Sequence, residues 1–370
     1  MTYWITCPAE NEWNAATKSG IIISQDAAKS ASEIGFRVLH YPRLYAGTLR
    51  EMPWQERMDY LEAITAPVMP GDVVVIQYPI WTNYVRWENE FFDYFVNNKK
   101  GVKLAALVWD VLSWVHDDRE RDYSGDWSLS MLNKFDVVIA ANEKMARRMH
   151  EEGAVKGPFL AMGISDLRYA GAIQEKKFLK RLYYVATGIN PNMLEDYKAQ
   201  TEMVLIGPHG DLGKIAEKFQ LLGAMKSVEI PRVFEGGFGL VDYGRDAHYK
   251  GMLRYGEYNN PMKLSMYLAA GLPPVVLEKS AHAAWIREKG LGLVLSNLTE
   301  LDLALSKLTE EDYARFLTNM APYSRAVRQG WFVKHTLMEA IRYLKLGFAD
   351  KLVRFDGEAA RFSWIQGEKK

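Results

Sequence analysis

The stretch richest in chemistry runs Tyr258-Asn-Asn-Pro-Met-Lys-Leu-Ser-Met-Tyr-Leu-Ala-Ala-Gly-Leu-Pro-Pro-Val-Val276. Asn-Pro opens a helix well, because proline already holds a helical φ and lacks an N–H that the first turn would leave unbonded. Lys263, Ser265 and the adjacent backbone N–H groups then fall in the first turns. There the unpaired donors and the positive end of the helix dipole favour an anion, and the lysine adds a full charge. The chemistry of such an end is phosphate binding, and the pyrophosphate of a nucleotide is its natural ligand. Tyr258, Asn259 and Asn260 at the mouth of the helix complete this candidate set. The small ending Ala269-Ala270-Gly271 lets the helix turn tightly into the apolar run Pro274–Leu277. A capped helix with a solvated lysine accounts for the same residues without any function.

A second group lies in the first half of the chain. Asp110 follows the apolar run Lys103–Trp109, so it should project from the carboxyl end of a strand, where it is a candidate base for a hydroxyl proton. A buried or capping aspartate is the plain alternative. Trp81, Trp109 and Trp114 sit at the same strand ends, and their flat amphipathic rings suit stacking on sugars or bases. With 11 Trp and 20 Tyr in the chain, core packing is the default explanation of any one ring. Asp117 and Asp118 lie in the polar run His116–Asp122, which reads as a solvated loop. Gly207-Pro-His-Gly-Asp-Leu-Gly213 spaces its glycines for an anion but reads more simply as a strand-to-helix turn. His209, His248 and His282 lack ligand spacing, and the lone Cys7 excludes an internal disulfide or a cysteine zinc site. No metal or cofactor is expected, and neither GxGxxG after the first strand, a P-loop nor HExxH is present.

The elements that must position these residues alternate between short β-branched runs and amphipathic stretches, the pattern of parallel sheets covered by helices. Strands are expected at Tyr3–Cys7, Arg37–His40, Asp72–Gln77, Lys103–Trp109 and Asp136–Ala140, with a helix capped by Asn142 and ended at Gly153. Residues 163–180, with Lys176, Lys177, Lys180 and Arg181 at the end, read as an interdomain connection. A second set follows at Leu182–Ala186, Met203–Ile206, Gly237–Val241, Pro274–Leu277 and Leu291–Leu295, with helices near 212–219, 260–270 and 281–289. Helical segments at 298–308, 309–320 and 323–346 finish the chain. The expectation is α/β: one domain over 1–168, a second over 169–325, a helix over 326–346 packing back on the first domain, and a tail over 347–370. Two such domains place a ligand in the cleft between the carboxyl ends of their sheets.

Composition narrows the partners. The 370 residues carry 46 Lys plus Arg against 46 Asp plus Glu, so no global charge suits nucleic acid or anionic lipid. No run of about 18 apolar residues occurs, and the start of the chain lacks a basic leader ahead of an apolar core. A cytoplasmic protein is expected. The basic group 176–181 is the one candidate for weak peripheral contact with a membrane, a solvated linker being the simpler reading.

Glu235-Gly-Gly-Phe-Gly-Leu-Val241 precedes the lysine motif by about 20 residues, and the pair resembles a known arrangement. The sequence resembles bacterial glycosyltransferases of the GT-B fold, in the glucosyltransferase 3 family with its galactofuranosyltransferase relatives. The matching positions are Gly236 to Val241, then Asn259, Lys263, Leu264, Ser265, Tyr267, Leu268, Ala270, Gly271 and Pro273. Weaker similarity runs through Gly71–Trp81, Trp109–Val111 and Asp136–Glu143 and reaches Gly330-Trp-Phe.

The resemblance implies a Rossmann-like pair of domains, acceptor-binding over 1–168 and nucleotide-sugar-binding over 169–325, with a UDP-sugar as donor substrate and a glycan acceptor on protein or lipid, as in surface-glycan or adhesin glycosylation. Trp81, Trp109 and Trp114 would then stack on the acceptor sugar. It also implies a homo-oligomer. The first loop of the donor domain then brings Gly188, Asn190 and Asn192 to the donor. That loop, Thr187–Asn192, lacks the basic residue often found there in the family, which leaves phosphate neutralisation to Lys263, backbone N–H groups, or Arg245 and Arg254. Two other readings of the residues stay open: a UDP-sugar epimerase of the same fold, and a noncatalytic partner subunit that holds an acceptor protein.

Overall fold

Two families of apolar, β-branched runs build two separate sheets. In the computed structural model, which describes residues 1–10, 17–81, 84–115, 127–186, 194–195, 197–207, 212–241 and 255–355, the first sheet comprises β1 (Tyr3–Ala9), β2 (Arg37–Pro42), β3 (Val73–Tyr78), β4 (Lys103–Val108), β5 (Val137–Ala140) and β6 (Phe159–Ala161). Their order is β2-β1-β3-β4-β5-β6, and every pair is parallel. β3 is buried at each of its residues, as expected of a strand covered on both faces. Helices α1 (Ser19–Ser32), α2 (Trp54–Thr65), α3 (Val85–Asn98) and α4 (Glu143–Glu151) provide that cover. Asn142 caps α4 as its sequence position predicts, accepting from Met145 N–H at 3.0 Å.

The second sheet contains β7 (Lys177–Val185), β8 (Glu202–Ile206), β9 (Gln220–Gly223), β10 (Gly236–Val241), β11 (Pro274–Leu277) and β12 (Leu293–Leu295). It is again all parallel, in the order β12-β11-β10-β7-β8-β9. Helices α5 (Met262–Ala270), α6 (Ala283–Lys289) and α7 (Glu310–Arg328) belong to this half, and α8 (Trp331–Leu346) closes the fold. The strand order reverses between β1 and β3 in one sheet and between β7 and β10 in the other. Such switch points open a crevice beyond the carboxyl ends of the strands.

The last helix returns to the first sheet. Val333, Leu337 and Ala340 at i, i+4 and i+7 are buried with Ile5, Val75, Leu107 and Ile139. Asp166 anchors its start, accepting from Phe332 and Val333 N–H at 3.3 and 2.7 Å. Arg168 N–H donates to Asp26 on α1 at 2.8 Å. Among the described residues no helix is long and apolar enough to cross a membrane.

Four expectations are corrected here. Lys177, Lys180 and Arg181 are not linker residues but part of β7, where Arg181 pairs with Glu202 at 2.8 Å on the neighbouring strand. Lys176 is buried against the Phe234 carbonyl at 2.7 Å, and burial pushes its ammonium down to about 8. The short strands β6 and β9 went unforeseen, being edge segments of 3 and 4 residues. The helix expected near 212–219 is a single 3₁₀ segment, Gly213–Lys218. Finally, the break expected around 321–322 falls at Gly330. α7 runs through Pro322, whereas Gly330 takes φ +70° with Ser30 Oγ 2.0 Å from where a Cβ would sit.

Candidate active site

The lysine motif is held in place by a glycine. An added Cβ at Gly239 on β10 would lie 2.3 to 2.5 Å from ring carbons of Tyr267 on α5, so only glycine admits the ring at this distance. Tyr267 is fully buried, and its hydroxyl faces the Tyr183 and Leu240 carbonyls at 3.0 and 3.2 Å and accepts from Val185 N–H at 3.2 Å. The two sequence motifs therefore form one interlock that sets the axis of α5. Gly271 ends that helix at φ +68°, with Leu272 N–H bonded to Tyr267 O at 2.8 Å.

The start of α5 is open. Pro261 stands at its N-cap, no side chain caps it, and the first turn contains no acidic residue. Lys263 lies there with its Nζ 4.2 Å from the Tyr184 ring centroid. Across from it begins α1, likewise without a side-chain cap or a first-turn acid and with Lys18 at its N-cap. Both ends open onto one cavity of about 510 Å³ lined by residues of both domains. Lys18, Lys263 and the carboxylate Asp110 are its charged lining residues among those described, so the described lining holds two cationic side chains against one carboxyl.

Trp81, Trp109 and Asp110 line the same cavity from the first domain. Trp81 adopts φ +59°, rare and strained for a side chain this large. It is held there by Arg43 Nε, which donates to its carbonyl at 2.7 Å, and by its own Nε1, which donates to Ser24 Oγ at 3.3 Å. Its indole lies against Gly20, where an added Cβ would sit 2.6 Å from ring carbons. Trp109 is almost fully buried and donates to Gln77 Oε1 at 2.8 Å. Gln77 in turn donates to Thr6 O and Ser24 O at 2.6 and 2.9 Å. Asp110 accepts from Tyr255, a residue of the other domain. Burial raises its carboxyl above the usual aspartate range, and the Tyr255 bond opposes that rise.

Segment 255–260 is strapped to the first domain. Asn142 Nδ2 donates to Tyr258 O at 2.7 Å and to Asn260 Oδ1 at 2.9 Å, while Asn260 Nδ2 donates to Ala141 O at 2.7 Å. Arg148 packs on the rings of both Trp114 and Tyr258, 4.2 and 4.3 Å from their centroids, which are themselves 5.9 Å apart.

The structure thus brings Trp81, Trp109, Asp110, Asn259, Asn260 and Lys263 to one cavity. It does not bring Tyr258, Ser265 or Trp114 there. Tyr258 and Trp114 hold Arg148, and Ser265 Oγ donates to Ser165 O at 2.6 Å as a buried tie to the interdomain segment. Gly188, Asn190, Asn192, Asp117, Asp118, His209, Arg245, His248 and Arg254 lie outside the described residues. Thr17 to Gly20 and Tyr255 line the cavity but were not singled out from the sequence. The available signal for the first was a segment between strand and helix facing a switch point. Among the described residues no group of three or more His, Cys, Asp or Glu is placed to hold a metal ion. His282 is buried, and desolvation pushes its imidazole down to about 4.

Residues 2–164 match the model of the glucosyltransferase 3-like N-terminal domain, and residues 182–340 that of the C-terminal domain. The chain is 26% identical over 330 residues to glucosyltransferase 3 of Streptococcus gordonii, covering 87% of this chain and 94% of that protein. A shorter stretch of 91 residues is 31% identical to the beta-1,6-galactofuranosyltransferase WbbI of Escherichia coli K12, covering 25% of this chain and 28% of that protein. In three dimensions the fold is similar to that of an alpha,alpha-trehalose-phosphate synthase (UDP-forming) from Burkholderia vietnamiensis. That likeness has a TM-score of 0.59 at 10% identity and covers 92% of this chain and 98% of the other.

Proposed function

The chain belongs to the glucosyltransferase 3-like family, and we propose that it transfers a hexose, glucose or galactofuranose, from UDP to a sugar hydroxyl of a glycan acceptor. The observation that carries this reading is the cavity itself. Two uncapped helix starts and two lysines meet there, in a cavity also lined by two tryptophans and one carboxylate. A UDP leaving group develops charge on its β-phosphate, and fixed N–H donors with a lysine answer that charge without reorganising. Interactions of this kind contribute about 3 kcal/mol each in measured cases. The start of α5 with Lys263 is assigned this role, and metal independence is part of the proposal.

Asp110 is the base in this reading. The bond between the anomeric carbon and the phosphate oxygen breaks, the acceptor oxygen bonds to that carbon, and the acceptor proton passes to Asp110. This is the inverting course. Trp81 flanks the acceptor sugar in this reading, whereas Trp109, almost fully buried and bonded to Gln77, supports the wall from behind and offers no stacking face. Both named relatives are hexosyltransferases, one naming glucose and the other galactofuranose, and the trehalose-phosphate synthase is described as UDP-forming. These names support the donor class proposed for this chain, with a protein-linked or lipid-linked bacterial surface glycan as acceptor.

The test is product analysis by mass spectrometry with UDP-glucose and UDP-galactofuranose, each with and without a panel of glycan acceptors. Expected is an acceptor heavier by one hexose residue (162 Da by its formula), lost in Asp110→Asn and in Lys263→Ala. Conversion of the UDP-sugar to an isomer without acceptor, or full transfer by both variants, contradicts the reading.

A further inference from the structure

Tyr255 belongs to the second domain, yet its hydroxyl ends in the first. It donates to Asp110 Oδ1 and accepts from Val111 N–H at 3.1 Å, and the residue is 2% exposed. An amide N–H can only donate, so the phenol oxygen must accept there, and its one proton is committed to the carboxylate. The contact is therefore directional: Oδ1 is an acceptor, and the bond favours the ionised carboxyl, the form a base needs.

The same residue opens the donor segment. Tyr255 O accepts from Tyr258 and Asn259 N–H at 2.9 and 3.1 Å, two residues ahead of Pro261 and the start of α5. Asn142 and Asn260 fasten this turn to the first domain. We propose that Tyr255 is a positioning residue that couples the base on the acceptor domain to the donor segment, so that Asp110 is held ready only while the two domains are closed on each other. Opening the cleft would take Tyr255 away with the second domain and leave Asp110 without its donor. The inference rests on the reading of Asp110 as base.

Besides Tyr255, the ionisable side chains that line the cavity with Asp110 among the described residues are Lys18 at the start of α1 and Lys263 on α5. Neither is a source of the shift in Asp110, which comes from burial and the Tyr255 bond.

The experiment follows the Asp110 carboxyl by NMR in full-length protein labelled with ¹³C at the aspartate Cγ, its signal identified by loss in Asp110→Asn. In Tyr255→Phe the titration midpoint is expected to rise, with thermal stability and near-UV circular dichroism reporting that the fold persists. Asn260→Ala, which bonds neither Asp110 nor Tyr255, is expected to move the midpoint in the same direction by loosening closure. The acid limb of kcat/KM should follow the midpoint in both variants. An unchanged midpoint in folded Tyr255→Phe overturns the proposal, and an unchanged midpoint in Asn260→Ala overturns its link to closure. Should Asp110→Asn retain full transfer, the base assignment fails, while the midpoints still decide whether Tyr255 governs this carboxyl.

Discussion

Replacing Gly239 by alanine tests whether the interlock of β10 and α5 positions the donor site. The new Cβ would meet Tyr267 Cγ, Cδ2 and Cδ1 at 2.3, 2.4 and 2.5 Å, whereas unstrained carbon contacts lie at about 3.5–4.0 Å. The ring must therefore retreat by about 1 Å or more, in a core where it is fully buried and has no slack. Overpacking of this kind costs about 1–3 kcal/mol. The displacement also pulls the hydroxyl from Val185 N–H, now at 3.2 Å, and an orphaned buried donor adds about 1–3 kcal/mol. The gain from removing a strand glycine returns about 0.5–1 kcal/mol. A net loss of about 1–5 kcal/mol follows, together with at least about tenfold weaker UDP binding as the start of α5 shifts. Calorimetric unfolding and UDP titration measure the two effects. Gly239→Ala combined with Tyr267→Leu should be less harmful than the sum of the single changes, because the ring that clashes is gone. Wild-type stability and affinity in Gly239→Ala, or simple additivity in the pair, refutes the interlock.

Three further outcomes follow from particular contacts. Ser265→Ala should cost about 1 kcal/mol by removing the bond to Ser165 O, with UDP affinity unchanged in a titration; weakened binding at unchanged stability would return Ser265 to the donor site. Burial raises Asp26 to about 6 and Asp166 to about 7, from an ordinary value of 3.8. The folded state then binds more protons than the unfolded one, and stability should fall as pH rises from about 4 through 6 and 7. Urea unfolding across that range should show a shallower fall in Asp26→Asn, and an identical slope would contradict the assignment. Cys7 is buried, and desolvation pushes its thiol up to about 12, so a disulfide thiol reagent at pH 8 should label it only after denaturation; rapid labelling of the native protein would contradict this burial.

Much of the fold was legible because its strands are buried on both faces and read as apolar runs, as β3 and β4 do. The edge strands were not, since Phe159–Ala161 and Gln220–Gly223 are too short to show a period. Lys176 and its neighbours looked like a solvated connection because charge in sequence does not reveal pairing; Arg181 faces Glu202 across the sheet and Lys176 reaches the Phe234 carbonyl. At the site, Lys263 and Asp110 were findable from local context alone, one at a helix start and the other at a strand end. Ser265 sits in the same first turns yet faces the interdomain segment, a distinction of helix face that a motif does not encode. Tyr255 was not findable, because its partners are 144 and 145 residues away in the other domain. The glycines of the Gly-Gly-Phe-Gly stretch acquire their reason only once Tyr267 is seen against Gly239.

Transfer as proposed requires that a nucleoside diphosphate bind at the start of α5 beside Lys263. Isothermal titration of the purified protein with UDP in the presence of EDTA, with Lys263→Ala alongside, tests it most directly. Micromolar binding by the wild type is expected, weakened at least about tenfold by the substitution because a charged hydrogen-bonding partner is lost. Absence of UDP binding by the folded wild type, or equal affinity in Lys263→Ala, contradicts it.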